Sequence, residues 1–237
     1  MSMDWFEIVR ERMVPVADGV HVTAYAVWIA LGVALAAAFI GPVWRVLRLA
    51  VTLVHELGHA IVGMAVGRRF TGFVLRGDMS GHAVTVGRPR GPGRVVSTWA
   101  GYPAPAVVGA AMVWTAVRGW SAPVVALTLV VLLVALVRVR SALTALIMAF
   151  ALAGTAALWW WRNDELQEQV LIGTGIVLLI GAWRHLAVAL GDRSHSGDAA
   201  VVAELSHVPR ALCNLSFVAV LAACSWLAVV QILDVVR

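Results

Sequence analysis

Seven apolar runs, each about the 20 residues needed to cross a bilayer, take up most of this chain. They fall near 24–43, 47–66, 95–117, 122–138, 142–161, 170–190 and 211–233. A backbone in lipid must satisfy its own N–H and C=O groups, so runs of this kind fold as helices. Composition agrees: the 237 residues are 61% hydrophobic and 13% charged, where a soluble domain carries about 25% charged residues. The expected fold is an all-α polytopic membrane protein of about six to seven transmembrane helices. No repeat or low-complexity stretch appears, and no room remains for a separate soluble domain, so residues 1–237 are read as one membrane domain.

The net charge is +5, and all 18 basic residues are arginine. They sit between the apolar runs rather than in one patch, which speaks for orientation in a bilayer and against nucleic acid. With a cytoplasmic amino terminus and every run crossing, thirteen arginines fall on one face and five on the other. Arg10, Arg12 and the arginines of residues 67–94 belong to the first group, Arg45 and Arg48 to the second. This places 67–94 on the cytoplasmic face of a multi-pass protein of the cell membrane, and 191–210 on the same side. The opening "MSMDWFEIVRER" has no leader character, and the first run is expected to serve as the insertion signal. Cys213 and Cys224 are too far apart along one run to bridge and read as small buried residues.

One link differs in kind. In "RRFTGFVLRGDMSGHAVTVGRPRGPGR" two stretches rich in β-branched and aromatic residues flank the turn-prone "GDMSG", which predicts a β-hairpin over about 70–87. It follows directly on the second run, and that run holds the chain's most unusual feature.

The second run contains "VTLVHELGHAIVG", with His55, Glu56 and His59 in an otherwise apolar setting. Ionisable groups at membrane depth are expensive and mark function. On a helix, His55 and His59 are one turn apart and project from one face, so their imidazoles can share one Zn²⁺. Glu56 stands beside the first ligand without binding the metal. From there a carboxylate can take a proton from an attacking water and pass it to a leaving amine. Gly58 leaves space next to the site.

A catalytic zinc site usually has three protein ligands and an open position. The third must come from the same side of the membrane, where Asp78, His82, Asp192, His195, Asp198, Glu204 and His207 are available. Asp198 is preferred, because Ser-Gly in "SGDAAVVAELSHVP" can open a short helix that carries it inward.

"HELGH" within a span, a hairpin, then "WAGYPAPAVVGA" and a late Asp together resemble the site-2 protease family of intramembrane zinc metalloproteases, in its compact bacterial branch without a PDZ domain. The resemblance covers about residues 24–212, and its specific core is "HELGH". It implies one zinc per chain on His55 and His59, Glu56 as the catalytic base, and cleavage of peptide bonds in or near transmembrane helices of membrane proteins. Better-known members carry the third ligand in Leu-Asp-Gly or Asn-Pro-Asp-Gly. Neither occurs here, and "SGDAA" around Asp198 resembles the ligand segment of the compact branch. The family's Gly-x-x-x-Asn segment appears as Gly101-Tyr102-Pro103-Ala104-Pro105, without the Asn. Asn214 is a remote substitute for it. Tyr102 can donate a hydroxyl, although an interfacial anchor explains it as well.

A helical substrate must unwind before its backbone is exposed, and a strand edge in "FTGFVLR" or "HAVTV" can then pair with it. Phe73, Val84, Gly101 and Tyr102 are the candidate substrate contacts. The expected partners are the lipid bilayer and a membrane-protein substrate of single-span type. Two rivals stand beside this reading: a transporter whose His/Glu cluster moves ions, and a scaffold that holds membrane partners without cleaving them. The first needs further ionisable groups in other spans, and there only Arg184 and His185 interrupt the apolar runs.

Overall fold

The computed structural model describes residues 5–16, 22–77, 80–191 and 197–237. The element order is α1 (Trp5–Glu11), α2 (Ala24–Phe39), α3 (Gly41–Ala65), β1 (Arg69–Leu75), β2 (Gly81–Val86), α4 (Pro92–Trp99), α5 (Pro103–Val117), α6 (Ser121–Leu136), α7 (Ala142–Trp160), α8 (Asp164–Gly191), α9 (Asp198–Ser206) and α10 (Arg210–Val236). All seven apolar runs are helical. By length and composition, α3, α7, α8 and α10 can each cross a membrane, and the bent pair α4–α5 makes a fifth; α2 and α6 are shorter apolar helices.

Local chemistry sets the breaks. Thr23 caps α2 by accepting from the Ala26 N–H, and Ser141 caps α7 by accepting from Thr144. Ile40 is extended and Pro42 follows in the first turn of α3, where the missing proline N–H costs nothing. The first apolar run therefore ends at Phe39 rather than at residue 43. The third run bends by 59° between α4 and α5, at Pro103, which has no N–H to continue the ladder.

The bundle is built on α8. It packs antiparallel on α5 through two glycines, since a methyl group at Gly109 would lie 2.6 Å from the Gly175 carbonyl oxygen. Small residues allow this backbone approach where lipid offers no hydrophobic drive between helices. Outward faces carry large apolar side chains, among them Phe150, Leu215 and Trp226, as a lipid-facing surface requires.

The start of α2 corrects the expected path of the chain. Val22 and Ala26 pack with Ala116, Val125 and Ile172, at the end of the bundle away from the hairpin. Residues before α2 lie there too: Val16 donates its N–H to Gly119 and Arg12 donates to the Trp160 carbonyl. The other end of α2 meets Arg184, which donates to the Ala38 carbonyl and stacks its guanidinium 4.3 Å from the Trp44 ring centroid. The α2–α3 junction thus sits beside Arg184 near the end of α8, and Ile40 alone links the two helices.

The hairpin is antiparallel, with Arg69 opposite Val86 and Leu75 opposite Gly81, and an irregularity between Phe70 and Gly72. One expected edge is closed. Phe73 donates its N–H to Arg138 and accepts from Arg140, and the Arg140 side chain binds the Thr71 carbonyl. The Phe73 side chain is fully buried among Leu53, Leu132 and Met148. Phe73 is a core residue, and its backbone groups are already used.

In a background without Cys213 and Cys224, single cysteines placed at Glu7 and Ser80 should react with impermeant reagent from opposite sides of the membrane. Labelling of both from one side would contradict the direction of α2.

Candidate metal centre

His55 and His59, one turn apart on α3, direct their Nε2 atoms to one point, 3.1 Å from each other. Asp198 opens α9 after the extended Gly197, and its Oδ2 lies 3.2 Å from both nitrogens. The three donor atoms lie within 4.8 Å of one another. Two imidazoles and a carboxylate form a donor set that suits zinc.

His59 is held from behind. Its Nδ1 lies 2.8 Å from the Ser97 carbonyl oxygen, and the Ser97 hydroxyl donates back to the His59 carbonyl at 3.0 Å. With the proton on Nδ1, Nε2 keeps its lone pair for a metal. Burial alone pushes the Asp198 carboxyl up, but the two imidazoles 3.2 Å away outweigh it and hold the group below the usual carboxylate range. Asp198 is therefore an anion available for ligation.

Two glycines give the ligands room. A methyl on Gly101 would lie 2.4 Å from His59 Nε2 and 2.7 Å from His55 Nε2, against the two rings. Gly101, expected as a substrate contact, lies against the two imidazoles. A methyl on Gly58 would meet the Ala104 methyl at 2.4 Å, so that glycine serves the packing of α3 against the α4–α5 bend.

Glu56 is buried under the hairpin, where a methyl on Gly81 would lie 2.6 Å from its Oε1. It borders a cleft of about 710 Å³ together with the three donor residues, Tyr102 and all of β2 from Gly81 to Val86. Val84 thus lies on the cleft wall. The Tyr102 ring packs edge-on to His55 at 5.0 Å and against Phe217 at 5.1 Å, within the site rather than at an interface with headgroups.

The other candidate ligands separate cleanly. His82 lines the cleft but is exposed and stands outside the donor cluster. Glu204 and His207 are exposed at the far end of α9. Asp78, Asp192 and His195 lie outside the described residues. Asn214, with a buried Oδ1 that has no partner among the described residues, lines neither cavity at the site. Sequence reasoning passed over two neighbours: Ser97, for which no signal exists, and His185, an imidazole inside an apolar run whose ring centroid lies 6.2 Å from that of His55.

Residues 28–228 match the family model described as Peptidase M50B-like. The chain belongs to this family. No curated protein and no solved structure gives a match. Membership supports a membrane metalloprotease, and M50 peptidases are zinc enzymes. In this M50B-like chain, His55, His59 and Asp198 are the group that could hold the ion.

Gly101→Ala should disturb the ligands. Its methyl would overlap both imidazoles, so the rings or the α4–α5 bend must shift. Zinc content should fall well below about one per chain; a variant that retains full zinc would contradict the geometry.

Proposed function

We propose that the chain is a zinc-dependent intramembrane endopeptidase that hydrolyses peptide bonds in or near transmembrane segments of membrane proteins, single-span proteins above all. The observation that carries this is the convergence of His55, His59 and Asp198 with Glu56 beside them, in a cleft bordered by an apolar bundle. The excess of arginine at the hairpin end supports a cytoplasmic position for that end.

A zinc ion on the three ligands supplies a Lewis acid that polarises the scissile carbonyl and acidifies the attacking water. The chain's own residues do the rest. Glu56 takes a proton from the water and delivers it to the departing amide nitrogen, so one carboxylate serves as base and then as acid. Its burial beneath Gly81 keeps it apart from bulk water. Ser97 fixes the orientation of His59.

The substrate must present an extended backbone, and β2 offers the edge to receive it. The edge of β1 is taken by Arg138–Arg140, and Arg68 already binds the Thr85 carbonyl. Strand addition then falls on Gly81–Val84, the part of β2 nearest Glu56. Val84 and Tyr102 flank that path as substrate contacts, whereas Phe73 is buried in the core.

Glu56→Gln should lower cleavage of a co-expressed single-span substrate by roughly 10²–10⁴ and leave zinc content near wild type. Asp198→Ala should lose zinc and activity together. Truncated product that persists undiminished in Glu56→Gln would remove Glu56 from the mechanism. Wild-type protein that cleaves no membrane substrate but conducts ions would favour a transporter.

A further inference from the structure

Behind the cleft lies a second cavity of about 200 Å³. It shares His55 and Glu56 with the cleft and is walled by Arg48, Thr52, Tyr102 and His185 among others. Two buried ring nitrogens, His55 Nδ1 and His185 Nε2, have no hydrogen-bond partner among the described residues. Buried polar atoms of this kind are rare and call for a partner. The two rings are 6.2 Å apart between centroids and inclined at 69°. That separation is too large for a direct hydrogen bond between ring nitrogens, and it suits a single bridging water.

His59 shows what a supported ligand has in this site, because its Nδ1 meets the Ser97 carbonyl. His55 faces the same requirement. An imidazole that gives Nε2 to a metal carries its proton on Nδ1, and that proton needs an acceptor to fix the tautomer and the ring plane. His55 and His185 both line the cavity, and His185 Nε2, itself buried without a partner among the described residues, can be that acceptor.

We propose that His185 is the positioning residue for His55: His55 Nδ1–H donates to one water in the rear cavity, that water donates to His185 Nε2, and the bridge holds the ring with Nε2 towards the metal. The proposal rests on reading His55, His59 and Asp198 as a zinc site. The cavity has the room, several times the roughly 30 Å³ that a water occupies, and the polar lining that a buried water needs. The placement is supported by packing as well. α8 approaches α3 closely at Gly181, where a methyl would lie 2.4 Å from Val51, and His185 is one turn further along α8. The same helix thus sets the position of α3 and the orientation of its first ligand. His185 is not itself one of the three donors.

The test compares zinc affinity and the visible spectrum of Co²⁺-loaded protein for wild type, His185→Ala and His185→Gln, with His55→Ala as the ligand-loss reference. Glutamine returns an acceptor oxygen close to the place of Nε2. His185→Ala should weaken zinc binding by about 10–100-fold and alter the Co²⁺ bands while one metal per chain still binds at saturation. His185→Gln should recover most of the affinity and the wild-type bands. Wild-type affinity and spectrum in His185→Ala would overturn the proposal, as would equal losses in Ala and Gln, which would mark a packing role. Wild type that binds no zinc at all would bring down the metal reading and this proposal with it. Wild type that loses zinc in His55→Ala but is indifferent at position 185 would bring down this proposal alone.

Discussion

The approach of the backbone at Gly101 to two imidazoles is the contact on which the rest of the site depends. A methyl there would stand 2.4 Å from His59 and 2.7 Å from His55, so the α4–α5 bend can reach α3 only because this residue has no side chain. From that approach follow the hydrogen bond of His59 to Ser97, the seat of Tyr102 against His55, and the packing of Ala104 on Gly58. The bend is thus a device for bringing polar backbone to ligands within an apolar bundle. A straight α4–α5 helix would spend its carbonyls on its own ladder and leave His59 unsupported.

The hairpin completes the site from the other side, and its two strands have different tasks. β1 is absorbed into the fold: Phe73 is buried, the segment 138–140 pairs with it, and Thr144 accepts from Leu75. That pairing also removes an open strand edge, a liability in any sheet. β2 is anchored by β1 and by Arg68, and it presents its length to the cleft. Rigidity in one strand holds the other in place along the cleft.

How much of this the sequence disclosed depends on whether the information is local. The pairing of His55 with His59 follows from helical spacing alone, and the hairpin from β-branched runs around a turn. Asp198 is marked in the sequence by its side of the membrane and the Ser-Gly before it, and the structure brings it to both histidines. The direction of α2, the closed edge of β1 and the true neighbour of Gly101 were not legible, because each is settled by contacts between residues distant in the chain. Arg184 on Ala38 and Trp44, Arg138–Arg140 on Phe73, and Gly101 on two histidines are all of that kind. His185 was visible as an imidazole in an apolar run, but only its position beside His55 gives it meaning.

Charge balance ties the site to its ion. Glu56 is buried and Asp198 partly so, and the imidazoles of His55 and His59 are the groups set against Asp198. Carboxylates in a low-dielectric setting are costly to desolvate. Arg48 borders the rear cavity, and Arg68 and Arg94 border the cleft, but the acidic ion pairs among the described residues link Asp198 only to the two histidines. A divalent cation at the convergence point would offset that cost and would leave Glu56 beside the cleft. On the proposed function, the same ion would give these carboxylates a use in a chain so apolar. Stability and chemistry would then depend on one occupancy, and the geometry set by Gly101, Ser97 and α9 would bear on both.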